Sequence, residues 1–192
     1  MANITLTGAT SGSTTLAPTD GANATLTLPT GTGTVVTTAN PISGQVIQTV
    51  NTNFQATGAS NYFSTSSTSF VTTGIAVSIT PKFSTSKILV MATGLLQTNL
   101  GATAAYVTIY RNSTNLATGT SPAAMAYVRG GSNSNAATVP TSMIILDAPA
   151  TTSSTTYTIY AAAESGASCV FGATPGAVNG SQGGITVMEI AA

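Results

Sequence analysis

Hydrophobic and polar positions alternate along most of this chain in short runs separated by turn residues. The runs are rich in β-branched and aromatic residues, and Gly, Pro, Ser and Asn punctuate them at the spacing of an all-β sandwich or barrel. No stretch shows a capped helical period of 3.6 residues. The predicted strands are Gln45–Val50, Ser69–Thr73, Ile75–Thr80, Lys87–Leu96, Ala104–Asn112, Ala123–Gly130, Thr141–Ala148, Thr156–Glu164, Ser168–Gly172 and Ile185–Ile190.

Alternation also assigns faces to three of these strands, because successive side chains of a strand point to opposite sides. Val107 and Ile109 share one face of their strand, and Tyr157 and Ile159 share one face of theirs, so the two runs are suited to be sheet neighbours. The last strand, "ITVMEI", is apolar on both faces: Ile185, Val187 and Glu189 share one, and Thr186, Met188 and Ile190 share the other. A strand that is apolar on both sides is usually covered on both sides. We expect a partner sheet on one face and a neighbouring subunit on the other.

The N-terminal region contains a weak internal repeat. "NITLTGATSGSTTL" (Asn3–Leu16) and "NATLTLPTGTGTVV" (Asn23–Val36) align at an offset of 20 residues, and each consists of short Thr/Leu/Val alternations around Gly turns. Such strands hold too few large apolar residues to bury a core, so we interpret residues 1–43 as an assembly or attachment arm that sister chains or a particle must cover. Residues 44–192, where the strands lengthen, are predicted to form one β-sandwich domain.

Charge is nearly absent. Four Lys+Arg balance four Asp+Glu, and charged residues make up 4% of the 192, against about 25% in an average soluble protein. No block of like charge exists to attract a nucleic acid or an anionic membrane, so neither is an expected partner. A surface with so little charge does little to oppose self-association, which points to an oligomer.

The sequence shows no pattern typical of a signal peptide, a membrane-spanning segment or a reactive cysteine. The N-terminus "MANITLTG" lacks the basic region and apolar core of a signal peptide, and the longest apolar run, Ile88–Leu96, is too short to span a membrane. Cys169 is the single cysteine. No histidine or nearby cation is available to lower its pKa, so we expect a small buried hydrophobe in a strand rather than a reactive thiol.

Catalysis is not expected, and no catalytic, cofactor or metal site is predicted. The chain has no histidine, which removes the commonest general base and a common metal ligand. A glycosidase needs only two carboxylates, and the candidates are Asp20, Asp147, Glu164 and Glu189. Asp20 lies in a Gly turn, while Asp147 and Glu164 end strands. Glu189 lies within an apolar run, where we expect it to form an ion pair with an Arg or a Lys.

Other patterns have ordinary structural interpretations. "DGAN" at Asp20 resembles a calcium loop but offers too few carboxylates, and "PGAVNGSQGG" (Pro175–Gly184) lacks the Lys-Ser/Thr ending of a phosphate loop. That segment and "RGGSNSNAAT" (Arg129–Thr138) are predicted surface loops. Tyr62 and Phe63 could stack on a sugar, although isolated aromatic residues in β proteins more often belong to the core.

Two segments resemble a known domain: "STSSTSFVTTGIAVSITPKFSTSKILVMATG" (Ser64–Gly94) and the terminal "GGITVMEI". Residues 44–192 resemble a domain of virion structural and tail-fibre proteins of tailed phages, especially those of cyanobacteria and marine bacteria. The resemblance implies a β-sandwich of the jelly-roll type, trimeric and displayed on a particle surface.

The resemblance leaves two locations on the virion. A capsid decoration protein would hold the major capsid protein through its arm and stabilise the capsid exterior, whereas a tail fibre would join a tail component and bind host surface glycans. Known fibres are commonly longer and have repeated shaft segments, which favours decoration. A small polysaccharide depolymerase and a secreted adhesive domain are further alternatives with less support.

Overall fold

The computed structural model describes residues 4–7, 13–16, 39, 41–55, 62–120, 122–131, 136–172 and 182–192, the first two ranges as backbone strands only. The chain divides into two compact units, Met1–Val35 and Val36–Ala192. In the first unit, β1 (Ile4–Thr7) and β2 (Ser13–Leu16) pair antiparallel, with Ile4 opposite Leu16. The first copy of the repeat thus forms two short paired strands, as predicted, and the second copy lies outside the described residues.

The second unit is all-β in the ranges that are described. Its strands are β3 (Val46–Gln55), β4 (Phe63–Thr65), β5 (Val71–Ile79), β6 (Lys87–Thr98), β7 (Ala104–Arg111), β8 (Thr114–Asn115), β9 (Ala126–Arg129), β10 (Ala137–Asp147), β11 (Thr155–Ala163), β12 (Cys169–Phe171) and β13 (Gln182–Ile190).

Strand order identifies the fold. In the first sheet β6 pairs with β10 along one edge, while β13 and then β12 occupy successive parts of its other edge. β3 continues beyond β13, and β4 beyond β12. In the second sheet β5, β11 and β7 follow one another, and β8 and β9 share the far edge of β7.

Without the short β4, β8 and β12, eight strands remain: β3, β5, β6, β7, β9, β10, β11 and β13. Counted along the chain, the first sheet has the order 1-8-3-6 and the second 2-7-4-5, which is the connectivity of a jelly roll. The predicted fold class is therefore confirmed.

One continuous core lies between the sheets. The first sheet contributes residues such as Val90, Leu96 and Val187, and the second contributes Val107, Ile109 and Ile159, all fully buried. The two runs whose faces suit them to be sheet neighbours are β7 and β11, and the structure pairs them antiparallel.

Glycines let two large rings enter this core. Gly94 on β6 faces the buried ring of Phe171, and a Cβ atom at Gly94 would lie 2.6 Å from Phe171 Cζ. Gly183 similarly makes room for Phe54, whose ring centroid lies 5.9 Å from that of Phe171. The rings thus pack directly on the backbone at this end of the sandwich.

Two strand boundaries differ from the prediction for backbone reasons. The runs Ser69–Thr73 and Ile75–Thr80 are one strand, β5, because Gly74 at φ 79° accommodates a bulge opposite β11 instead of ending the strand. β10 begins at Ala137, before Pro140, because an edge strand tolerates a proline whose missing N–H would face away from the sheet.

Candidate interaction surfaces and the acidic residues

Asp147 lies at the end of β10, as predicted, and connects the two sheets. Its side chain points into the sandwich and is 9% exposed. Arg111 Nη1 donates to both of its carboxylate oxygens, at 2.7 and 3.0 Å, and the Tyr157 hydroxyl donates to Oδ2 at 2.7 Å. Arg111 and Tyr157 stand opposite each other on β7 and β11. Burial and the bond to Asp147 raise the pKa of Tyr157 far above its usual value.

Glu189 corrects a prediction: its partners are neutral donors and not a Lys or Arg side chain. The residue is fully buried. It accepts hydrogen bonds from the Gln48 side chain, from the Lys82 backbone N–H at 2.8 Å and from the Phe83 backbone N–H at 3.3 Å. Burial opposes ionisation, but these hydrogen bonds outweigh it, so the pKa of Glu189 lies below its usual value.

The ion-pair prediction failed because sequence cannot show that a loop backbone reaches this carboxylate. The loop belongs to "SITPKF", and Glu189 to "GGITVMEI". The two segments that carry the family resemblance therefore contact each other in the structure. Gln48 joins them further by donating to the Thr80 carbonyl at 2.8 Å.

Glu164 has partners of its own near the opposite sheet. It accepts a hydrogen bond from the Ala104 backbone N–H at 2.8 Å and pairs with Arg129 at 3.1 Å. Asp147, Glu164 and Glu189 share no hydrogen-bond donor, and Asp20 lies outside the described residues. Each described acid thus fixes a separate pair of elements.

Cys169 is fully buried on β12, as predicted. Burial raises the pKa of its thiol to about 12, and its nearest hydrogen-bond partner is the Tyr106 carbonyl at 3.8 Å. The thiol is therefore protonated at neutral pH and packs as a small apolar group.

The described part of the chain offers neither a metal-ligating cluster nor a membrane-spanning helix. There, no three His, Cys, Asp or Glu side chains come together as a metal-ligating group. Within the same ranges, no helix has the length and apolar character to cross a membrane.

The two predicted surface loops lie only partly within the described ranges. Arg129 belongs to β9 and residues 137–138 to β10, while residues 132–135 lie outside. Gln182, Gly183 and Gly184 belong to β13, which begins before the predicted Ile185, and residues 173–181 lie outside. Phe63 belongs to β4 and packs against the core, the more ordinary of its two interpretations.

The side of the first sheet that faces away from the core carries a cluster of apolar side chains; we call this side the first-sheet outer face. β10 contributes the most exposed side chains, Ile144 at 66% and Leu146 at 51%. The register places Met91 and Leu89 of β6 beside them, and Thr186 and Met188 of β13 beside those. The split predicted for "ITVMEI" is confirmed, because Ile185, Val187 and Glu189 are buried while Thr186, Met188 and Ile190 lie on the outer face, half-buried.

A shallow concavity lies at one end of this face. It has a volume of about 580 Å³ and forms where Gly183 and Gly184 replace side chains on β13. Asn53, Met91 and Thr93 line its sides. Among the described residues its lining has no charged side chain, but Asn53, Thr93 and Gln182 make it more polar than the part of the face around Ile144.

The outer side of the second sheet carries aromatic rings instead. Tyr110 and Tyr160 stack at 3.9 Å between centroids, and Tyr106 lies 6.2 Å from Tyr127. Tyr127 is 66% exposed. Tyr106, Tyr110 and Tyr160 lie on the side opposite to Val107 and Ile159, as strand alternation requires, but only the register shows that the rings adjoin.

Comparisons with known proteins were made for sequence and for structure. No protein-family model matches the chain, and no curated protein sequence matches it significantly. Solved structures of infectious bursal disease virus particles are similar to it. The T=1 particles align over 97% of this chain and 48% of theirs, with 16% identity and a TM-score of 0.39. The T13 particle aligns over 93% and 45%, with 14% identity and a TM-score of 0.34. The chain thus spans about half the length of the chains that it matches.

Proposed function

We propose that this chain is a non-enzymatic structural protein of a tailed-phage virion, a trimeric decoration protein that binds and stabilises the capsid exterior. The observation that carries the proposal is a jelly-roll sandwich whose charged groups are mostly satisfied within the chain. Both arginines pair with acids, and Glu189 is held by neutral donors. In the described ranges, Lys82 and Lys87 are the charged side chains that have neither an ion pair nor, like Glu189, a set of neutral hydrogen-bond donors. The outside therefore offers little charge to keep copies apart.

Two further points support this function. Jelly rolls are frequent in viral capsid domains, and the segments by which the sequence resembles tailed-phage virion proteins form one contact around Glu189. In this proposal residues 1–43 attach the domain to the major capsid protein. The acids serve the fold and take part in no catalysis.

Antibody labelling of native particles in the electron microscope, with copies counted per particle, tests the location. We expect hundreds of copies on the head, at a fixed ratio to the major capsid protein. A handful of copies at the tail would overturn decoration, and absence from purified particles would overturn any virion role.

A host-binding tail fibre is a second candidate, which the exposed ring of Tyr127 favours. Tyrosine combines an apolar ring with a polar hydroxyl, and a sugar can pack its C–H groups on such a ring. In this case the purified chain binds host surface polysaccharide, and Tyr127→Ala weakens binding about tenfold or more, equivalent to about 1.4 kcal/mol. Ile144→Ala, equally exposed on the other sheet, is the matched control. Unaltered binding by Tyr127→Ala, or no binding at all, contradicts this candidate.

A further inference from the structure

We propose that the first-sheet outer face is the surface by which copies of this chain associate, its occupant being a second copy of the chain. The inference rests on the proposed function in taking the protein to be an oligomer. Beyond the oligomer itself, the proposal specifies which of the two sheets forms the contact between copies. Its apolar part begins with Ile144 and Leu146 on the edge strand β10. It continues on the neighbouring strands β6 and β13 with Leu89, Met91, Met188 and Ile190.

Exposure and register show that this face is continuous. Ile144 and Leu146 are 66% and 51% exposed in the single chain. They stand opposite Met91 and Leu89, which in turn stand opposite Thr186 and Met188. The surface therefore crosses three adjacent strands with Thr186 as its polar member, and Lys87, opposite Ile190, lies at its end.

The size of the apolar part suits the centre of an interface between proteins. Three strands spaced about 4.8 Å apart, and about five residues of about 3.4 Å each, give about 14 Å by about 17 Å. That is about 240 Å² in projection, and protruding side chains make the accessible area larger. A specific interface buries about 800 Å² per partner, so the apolar part can form the centre of one, and the polar side chains around it would form the rim.

Charge identifies the occupant. An uncharged face offers nothing to pair with the ions of an average soluble protein, about a quarter of whose residues are charged. A partner therefore has to present few charged side chains at the contact, since each one buried there without a partner would cost free energy. This chain, with 4% charged residues and a net charge of zero, is such a partner.

Thiol labelling tests the proposal in the full-length chain. Ile144→Cys and Tyr127→Cys place a cysteine at positions that are equally exposed in the single chain, at 66%, on opposite sheets. Cys169 gives little background because it is buried and its pKa is raised to about 12. In the assembled protein we expect iodoacetamide to label Ile144→Cys about tenfold more slowly than Tyr127→Cys.

Sedimentation of charge-bearing variants gives the second readout. Ile144→Lys combined with Leu146→Lys should convert the oligomer to the 18.9 kDa chain, while Tyr127→Lys should leave it assembled. Equal labelling rates of the two cysteine variants, each sedimenting as an oligomer like the wild-type protein, would overturn this surface and leave the proposed function standing. Slow labelling of Ile144→Cys in a protein that sediments at 18.9 kDa would also overturn it, because the cover would then come from the same chain.

Discussion

Single residues fix the relative position of the two sheets. The Arg111–Asp147–Tyr157 cluster joins the end of β10 to β7 and β11, and every member has a charged or hydrogen-bonded partner. A buried carboxylate that loses a donor keeps its desolvation penalty. The cluster is therefore sensitive to removal of any one donor.

Tyr157→Phe should lower the free energy of unfolding by about 1.5 to 3 kcal/mol, the usual range for a hydrogen bond to a charged group. Tyr160→Phe, on the outer side of the same strand, should change it by less than about 0.5 kcal/mol. Urea unfolding of both variants measures the difference. Equal stabilities would show that the hydroxyl of Tyr157 contributes nothing to this link.

Glu189 makes stability depend on pH in a defined direction. Its pKa is lowered in the folded chain, so its contribution is present above the ordinary glutamate value of 4.5 and is lost as the pH falls below it. Glu189→Gln should lower the free energy of unfolding by about 1 to 3 kcal/mol at neutral pH, because the NH2 group of a glutamine side chain cannot accept the hydrogen bond that Gln48 donates.

The difference in free energy of unfolding between the wild type and Glu189→Gln should therefore become smaller as the pH falls from about 5 to about 3. Glu164→Gln is the control: it weakens a pair at the surface and should cost less than about 1 kcal/mol. Thermal unfolding across this pH range measures both. A constant difference would contradict the lowered pKa.

At the scale of strands, the main packing constraint is that the rings of Phe171 and Phe54 pack directly against the backbone of glycine residues. Gly94→Ala places a Cβ atom 2.6 Å from Phe171 Cζ. We expect a loss of about 1 to 3 kcal/mol, since overpacking a core forces side chains and backbone to shift. Gly119→Ala, where nothing lies within 4 Å, is the matched control. Equal unfolding midpoints for the two variants would contradict this packing.

The presence of the longer strands, and which of their side chains face the core, could be predicted from the sequence because alternation is a local property. It predicted the faces of β7, β11 and β13. β4 and β8 were missed because two or three residues carry no readable period. In the sequence Gly74 indicates an interruption between two strands, because Gly marks both turns and bulges and only the partner strand distinguishes them.

The interaction surfaces could be predicted only in part. The two-sided apolar pattern of "ITVMEI" predicted that β13 has a second cover. The neighbours of β13 on the outer face come from distant parts of the chain, and register alone brings Leu89 and Leu146 into the same surface. The partners of Glu189 were missed for a related reason, since backbone N–H groups leave no signature in a sequence.

At the scale of the whole molecule, one sheet presents an apolar outer face and the other presents aromatic rings. The chain pairs or buries most of its few charges, so neither face is defined by electrostatics. In our proposal the first-sheet outer face binds a second copy, residues 1–43 attach to the capsid, and the second sheet remains outside. A chain of this design is expected to be an assembly subunit.

The mass of the purified wild-type chain tests this expectation most directly. Sedimentation equilibrium at micromolar concentration should give three times 18.9 kDa, about 57 kDa. A stable species of 18.9 kDa across the same concentrations would contradict the account, because the first-sheet outer face would then remain exposed to water without a second copy to cover it.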